Sequence, residues 1–99
     1  MVRHIVLWRL TGVTPYAKAM HASEVKAALE SLNGRIPGMI RLEVGFEFSR
    51  TPESSDIALS AEFENRDALD AYQAHPEHMK VMPLVRPART ERRMIDSAP

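Results

Sequence analysis

The first apolar stretch, Val2–Leu10, predicts a strand because it is rich in Val, Ile, Leu and Trp and contains no turn residue. Apolar side chains occur on both of its alternating faces. One face carries His4, Val6, Trp8 and Leu10, and the other carries Ile5 and Leu7. This pattern is typical of a central strand that is covered on both sides. If Val6 and Trp8 face the helices, His4 faces them too.

Strict alternation of apolar and polar residues predicts two further strands in the middle of the chain. Met39–Ser49 alternates throughout, which indicates one buried face and one polar face. Residues 50–55 contain proline and small polar residues and predict a hairpin connection to a strand over Asp56–Glu64. A weaker, more charged pattern over Ala88–Ile95 predicts the last strand. The phenylalanines of this region are assigned to the core: Phe46, Phe48 and Phe63.

A period of about 3.6 residues between apolar positions predicts the first helix. Residues 11–13 form a loop before it, and Thr14 with Pro15 marks its start, because a hydroxyl cap precedes proline at the first helical position. Its apolar stripe runs over Val25–Leu32. Asn33 and Gly34 predict its end, since glycine tolerates the left-handed cap.

The second helical region is broken by proline. Asn65 predicts a helix cap, and the helix must end or bend where His75 precedes Pro76. Residues Glu77–Val85 predict a further short helix, which Pro83 should kink or stop.

The resulting order, β-α-β-β-α-β, is that of an α+β, ferredoxin-like fold. Two helices cover one face of a four-stranded antiparallel sheet, within a single domain over residues 1–96 followed by a tail at 97–99. The opposite sheet face needs cover where it is apolar. A second copy of the chain is the simplest cover, so we expect a homodimer that pairs into a dimeric α/β barrel.

Composition narrows the function classes. Ninety-nine residues allow one small core, and a chain of this length buries only about two-thirds of its unfolded surface. The 13 basic and 13 acidic residues balance, which favours neither nucleic acid nor a membrane as a partner. With no cysteine, disulfides and thiolate chemistry are excluded. The short first apolar run is broken by Arg9, so we expect no signal peptide and a cytoplasmic location.

Four arginines cluster near the C-terminus: Arg86, Arg89, Arg92 and Arg93. The favoured interpretation is a solvated edge strand whose charge deters aggregation. Phosphate binding is the alternative.

The segment DAYQAHPEH, residues 70–78, carries the most chemistry-bearing side chains. Tyr72, His75 and His78 can exchange protons or hydrogen bonds near neutral pH. If Pro76 opens a helix, His78 lies in its first turn, where the helix dipole lowers its proton affinity. His75 could equally be a cap, and Tyr72 and His4 could be core residues. His75, Glu77 and His78 are possible metal ligands, but the spacing of a zinc helix is absent and no metal is predicted.

The chain resembles the stress-responsive A/B barrel family, also called the dimeric alpha-beta barrel (Dabb) family. Three segments carry the resemblance: VRHIVLWRL at the start, IPGMIRLEVGFEFSRTPESSDIALSAEF in the centre and AYQAHPEH near the end. The family implies homodimers of ferredoxin-like subunits whose sheets pack face to face.

One plant branch of that family contains a polyketide cyclase that performs an intramolecular aldol condensation. The resemblance places His4, Tyr72 and His78 at its catalytic or pocket positions, with His78 as general base and Tyr72 bonded to it or to a substrate oxygen. This chain differs at Ile57, where the cyclase has another histidine.

Three functions therefore remain open. The favoured one is a homodimer that binds a small apolar ligand between sheet and helices, without a cofactor and without catalysis. A second is a cyclase-like enzyme acting on a carbonyl compound, and a third is a cofactor-independent monooxygenase-like barrel. The expected pocket is lined by Val6, Trp8, Ile57, Leu59 and His75.

Overall fold

The structure, a computed structural model, describes residues 1–12 and 14–99. Its elements, in chain order, are β1 (Val2–Leu10), α1 (Pro15–Glu30), β2 (Met39–Phe46), β3 (Ile57–Phe63), α2 (Arg66–Ala74), α3 (Pro76–Ala88) and β4 (Arg89–Ser97). The predicted loop over residues 11–13 includes Val13, which lies outside the described residues.

The four strands form one antiparallel sheet in the order β2-β3-β1-β4. Strand β1 pairs with β3 on one side and β4 on the other, so its predicted central position is confirmed. The predicted ferredoxin-like fold is also confirmed, with its second helical region divided into α2 and α3.

The core lies between the sheet and the three helices. The face of β1 that carries His4 points into this layer and is buried throughout, whereas Leu7 on the other face is 40% exposed. Capping fixes where the helices begin. The side chain of Thr14 accepts a hydrogen bond from Ala17 N, and that of Asn65 accepts one from Ala68 N, as the sequence predicted.

The alternation of β2 is broken by a β-bulge. Its register against β3 shifts between Met39 and Arg41, so Ile40 is an extra residue and its side chain is exposed. The strand also ends at Phe46, three residues before the predicted end. Phe46 is therefore half-exposed at the strand end, and Phe48 lies beyond it at 89% exposure. The prediction that these two phenylalanines belong to the core is wrong, while Phe63 is fully buried.

Two helix ends differ from the prediction. Helix α1 ends at Glu30, three residues before Asn33, and the Asn33 side chain is hydrogen-bonded to β2 instead of capping the helix. Its amide accepts from Leu42 N at 2.9 Å and donates to Leu42 O at 2.8 Å, which ties the turn to β2. Helix α3 continues through Pro83 to Ala88. Pro83 and the preceding-turn residue Met79 are solvent-exposed, so water can satisfy the carbonyl that proline leaves without a donor.

The sheet face opposite the helices has no cover within the described chain. Ile5 and Ile95 are register partners there, and Leu7 lies two residues further along β1. Leu7 and Ile95 are both exposed, with Ile95 at 59%. This apolar strip is where sequence analysis placed a second subunit.

Candidate functional site

The first component of the site is a buried histidine paired with a carboxylate. His4 is 4% exposed and faces the helical layer from the central strand. Its register partner on β4 is Asp96, and His4 Nδ1 lies 2.5 Å from Asp96 Oδ1. Since a carboxylate only accepts, we assign the ring proton to Nδ1, which donates to Asp96. In this tautomer the other nitrogen, Nε2, is a hydrogen-bond acceptor.

The second component is Tyr72, which α2 holds in the core at 2% exposure. Its ring centroid lies 5.1 Å from that of Phe63, 6.3 Å from that of His4 and 4.6 Å from that of His78. Burial raises the pKa of Tyr72 to about 12, although the charge of Arg92 acts in the opposite direction. The phenol is therefore protonated at neutral pH and can donate a hydrogen bond.

The third component is His78, in the first turn of α3. Burial lowers the pKa of His78, and the charge of Arg86 acts in the same direction, while the nearby backbone of Gln73 favours the protonated ring. The expected direction is confirmed, but burial rather than the helix dipole is its main cause. His78 Nδ1 is buried without a hydrogen bond of good geometry to any described residue. The ring is thus a neutral base with an unused nitrogen.

A cavity of about 420 Å³ joins His4, Tyr72 and His78. Trp8 and Leu59 line it as well, together with Leu29, Met82 and Met94. The indole Nε1 of Trp8 is buried with no hydrogen-bond partner in the described part of the chain. Polar atoms supply more of its surface than apolar atoms do, and a concave pocket on which several polar groups converge is a candidate small-molecule site.

The other expected lining residues lie elsewhere. Val6 and Ile57 are packed inside the core, where each is 1% exposed, and neither borders this cavity. His75 is the N-cap of α3, because its Nδ1 accepts a hydrogen bond from Glu77 N at 3.0 Å. The remaining histidine, His21, lies on α1 with Nδ1 2.6 Å from the carbonyl oxygen of Thr11.

Sequence reasoning missed the contribution of β4. Asp96 was not singled out. The arginines were assigned to a solvated edge, and β4 is indeed an edge strand on which Arg92 is exposed, but Arg89, Arg92 and Asp96 also border the cavity, as does Arg86 near the end of α3. The missing signal was the pairing of β4 with β1, which places β4 side chains next to His4 and Trp8.

Among residues 1–12 and 14–99, no group of three or more His, Asp or Glu side chains is arranged to hold a metal ion. No helix in the same residues is both long and apolar enough to cross a membrane.

Comparison with known proteins supports the fold and the family. The sequence model of the family described as "Stress responsive A/B Barrel Domain" (Dabb) matches residues 2–99. No curated protein matches the chain. A dimeric protein with a ferredoxin-like fold from Bacteroides fragilis NCTC 9343 has a similar structure, with 32% identity and a TM-score of 0.85. The match covers 97% of this chain and 93% of that one.

Two further solved structures extend the comparison. A dimeric ferredoxin-like protein from Thermobifida fusca YX is 28% identical with a TM-score of 0.81, over 98% of this chain and 89% of that one. An antibiotic biosynthesis monooxygenase is 16% identical with a TM-score of 0.74, over 100% and 98% of the two chains. The last similarity concerns the fold alone.

Proposed function

Since the chain belongs to the stress responsive A/B barrel domain family, we propose that it is a homodimer whose cavity binds a small carbonyl compound and moves a proton on it. The observation that carries this proposal is the cavity shared by a protonated phenol, a neutral imidazole and a carboxylate-bound imidazole. Enolisation of a carbonyl compound requires a base for the proton on the neighbouring carbon and a hydrogen-bond donor for the oxygen, which the neutral imidazole and the protonated phenol can supply.

In the proposed reaction, His78 removes a proton from the carbon next to the carbonyl group. The C–H electron pair becomes the C=C bond of the enolate, and the negative charge develops on the carbonyl oxygen. Tyr72 donates a hydrogen bond to that oxygen, because its high pKa keeps the hydroxyl protonated. Return of the proton from His78 to carbon restores the carbonyl compound.

His4 orients the ligand in this proposal. Asp96 holds the ring in one tautomer, as the carboxylate does in Asp–His pairs of hydrolytic enzymes. Nε2 of His4 can then accept a hydrogen bond from the ligand. An aldol-type ring closure would begin with the same enolate, but Ile57 stands where the plant cyclase carries a histidine. The proposed reaction therefore ends at the enolate and its reprotonation and does not include ring closure.

The test is deuterium exchange into 4-phenylbutan-2-one in heavy water, followed by NMR. The wild-type protein should accelerate exchange at the carbons next to the carbonyl group, and His78→Gln and Tyr72→Phe should each lower the rate. Tyr16→Phe is the matched control, because Tyr16 is 75% exposed and lies outside the cavity. Equal exchange rates in all four proteins would exclude a role of His78 and Tyr72 in proton transfer. Ligand binding without exchange would indicate a binding protein, and turnover that requires dioxygen would indicate a monooxygenase.

Self-association is the second part of the proposal. The uncovered strip of Ile5, Leu7 and Ile95 supports it, as do two similar structures that are described as dimeric. Sedimentation at micromolar concentration should give a dimer, and Ile95→Glu should shift the chain towards monomer. A monomeric wild-type protein would contradict this part.

A further inference from the structure

Three arginines border the cavity without an ionic partner. Arg86 lies in the last turn of α3, and Arg89 and Arg92 lie on β4. In the part of the chain that the structure describes, no carboxylate lies within 4.0 Å of any of their side-chain nitrogens. Arg93 differs, because its Nη2 lies 3.6 Å from Glu91 Oε1.

An irregularity in β4 places two of these arginines on the same side. Arg89 and Arg92 are three residues apart, and in a regular strand they would point to opposite faces. The register against β1 shifts, however, so that Arg89 pairs with Leu10 and Arg92 pairs with Trp8. Leu10 and Trp8 both face the helices, and therefore both arginines do so as well. Such bulges frequently redirect a side chain beside a functional site.

The charge of this cluster is not balanced within the cavity. Partial burial lowers the pKa of Arg89, and the charges of Arg92 and Arg86 lower it further. Guanidinium groups remain protonated nevertheless, so positive charges repel one another at the cavity. Among the described residues, Asp96 is the one carboxylate that lines the cavity, and it is bound to His4. An anion would relieve this repulsion.

We propose that the natural ligand of the cavity is a small organic acid, whose carboxylate is bound by Arg86, Arg89 and Arg92. Paired N–H donors of guanidinium match the two oxygens of a carboxylate. Leu29, Leu59 and Met82 form an apolar wall that suits the rest of such a molecule.

This inference rests on the proposed function, because it names the class of ligand for the same cavity. In the combined account, the arginines hold the acid group at the β4 side, and the apolar body extends towards Tyr72 and His78. A keto acid would therefore present its carbonyl group to the proton-transfer residues.

The experiment compares 4-phenylbutyrate with its neutral amide, 4-phenylbutyramide, by NMR titration of the dimer. The acid should bind with the lower dissociation constant and shift signals of Tyr72 and His78. Loss of one charged contact should weaken acid binding about tenfold to a hundredfold in Arg89→Gln and in Arg92→Gln. Arg93→Gln is the matched control, since Arg93 lies on the same strand but faces away from the cavity.

Each outcome separates this inference from the proposed function. If acid and amide bind the cavity equally and the arginine variants match wild type, the acid preference is refuted while the carbonyl site stands. If neither probe shifts Tyr72 or His78 at about 1 mM, where even weak sites are partly filled, both proposals fail. Tighter binding of phenyl phosphate than of 4-phenylbutyrate would show that the arginines bind a phosphate group rather than a carboxylate, and would overturn the inference. If Arg89→Gln and Arg92→Gln change the dissociation of the dimer but not the binding of the acid, these arginines belong to the subunit interface and the inference is overturned.

Discussion

Replacing Tyr72 by phenylalanine should separate stability from function. The substitution keeps the aromatic ring, which packs 5.1 Å from Phe63 and 4.6 Å from His78 between ring centroids. It removes only the hydroxyl, which makes no hydrogen bond to a described residue, and Tyr72 borders the cavity. The account therefore assigns the ring to the core and the hydroxyl to the ligand.

The magnitudes follow from these contacts. Removing a buried hydroxyl that has no protein partner should change the free energy of unfolding by less than about 0.5 kcal/mol, because no partner is left unsatisfied. Tyr72→Ala, by contrast, empties the space of a ring that is 2% exposed, and truncation of this kind costs about 3–5 kcal/mol. Loss of a donor to a developing oxyanion typically lowers the rate by about 10²–10³.

The assay pairs urea unfolding with deuterium exchange into 4-phenylbutan-2-one for each variant. Tyr72→Phe should unfold at the wild-type midpoint while its exchange rate falls by the stated factor. Two results for Tyr72→Phe would refute the reasoning. An unfolding free energy lowered by about 2 kcal/mol or more would indicate that the hydroxyl makes a structural hydrogen bond. An unchanged exchange rate would indicate that the hydroxyl has no part in the reaction.

Three further predictions test separate parts of the structure. Burial lowers the pKa of His78 below its usual 6.5, so as the pH falls the unfolded chain protonates this ring before the folded chain does. Stability that is present above about pH 6.5 is therefore lost as the pH falls towards the folded-state pKa. Thermal unfolding of His78→Gln should show a smaller loss of stability over that pH range. Asp96→Asn should lower stability by about 1.5–3 kcal/mol by removing a charged hydrogen bond to a buried ring, whereas the exposed control Asp70→Asn should be nearly neutral in the same urea titration. Gly38→Ala should lower the free energy of unfolding more than Gly34→Ala. Both glycines have positive φ, but only at Gly38 would a new Cβ lie 2.6 Å from another side chain, the Cβ of Ala68. Equal losses of unfolding free energy in the two variants would contradict this steric argument.

Much of the fold could be predicted because it depends on local patterns. The bounds of β1 and the caps at Thr14 and Asn65 follow from residue types at fixed spacings, and the structure contains them as predicted. The bulge at Ile40 could not be predicted, since it depends on the pairing of β2 with β3 and a strictly alternating sequence gives no sign of it.

The site shows the same division. His4, Tyr72 and His78 stood out because their side chains can exchange protons near neutral pH, and the structure brings all three to one cavity. Asp96 and Arg92 did not, because their positions depend on which strand lies beside β1 and on a register shift within β4. Charged residues near a chain end are more often solvated, and Arg92 is indeed exposed on an edge strand, so its position beside the cavity could not be predicted.

The central claim is that the cavity joins two of the four histidines to a ligand, and histidine NMR tests it most directly. With labelled imidazole rings, addition of 4-phenylbutan-2-one should shift the signals of His4 and His78, which line the cavity. His21 and His75 should not move, because they are bonded to Thr11 and to the start of α3 outside it. Shifts confined to His21 or His75, or no shift in any ring at saturating ketone, would contradict the account.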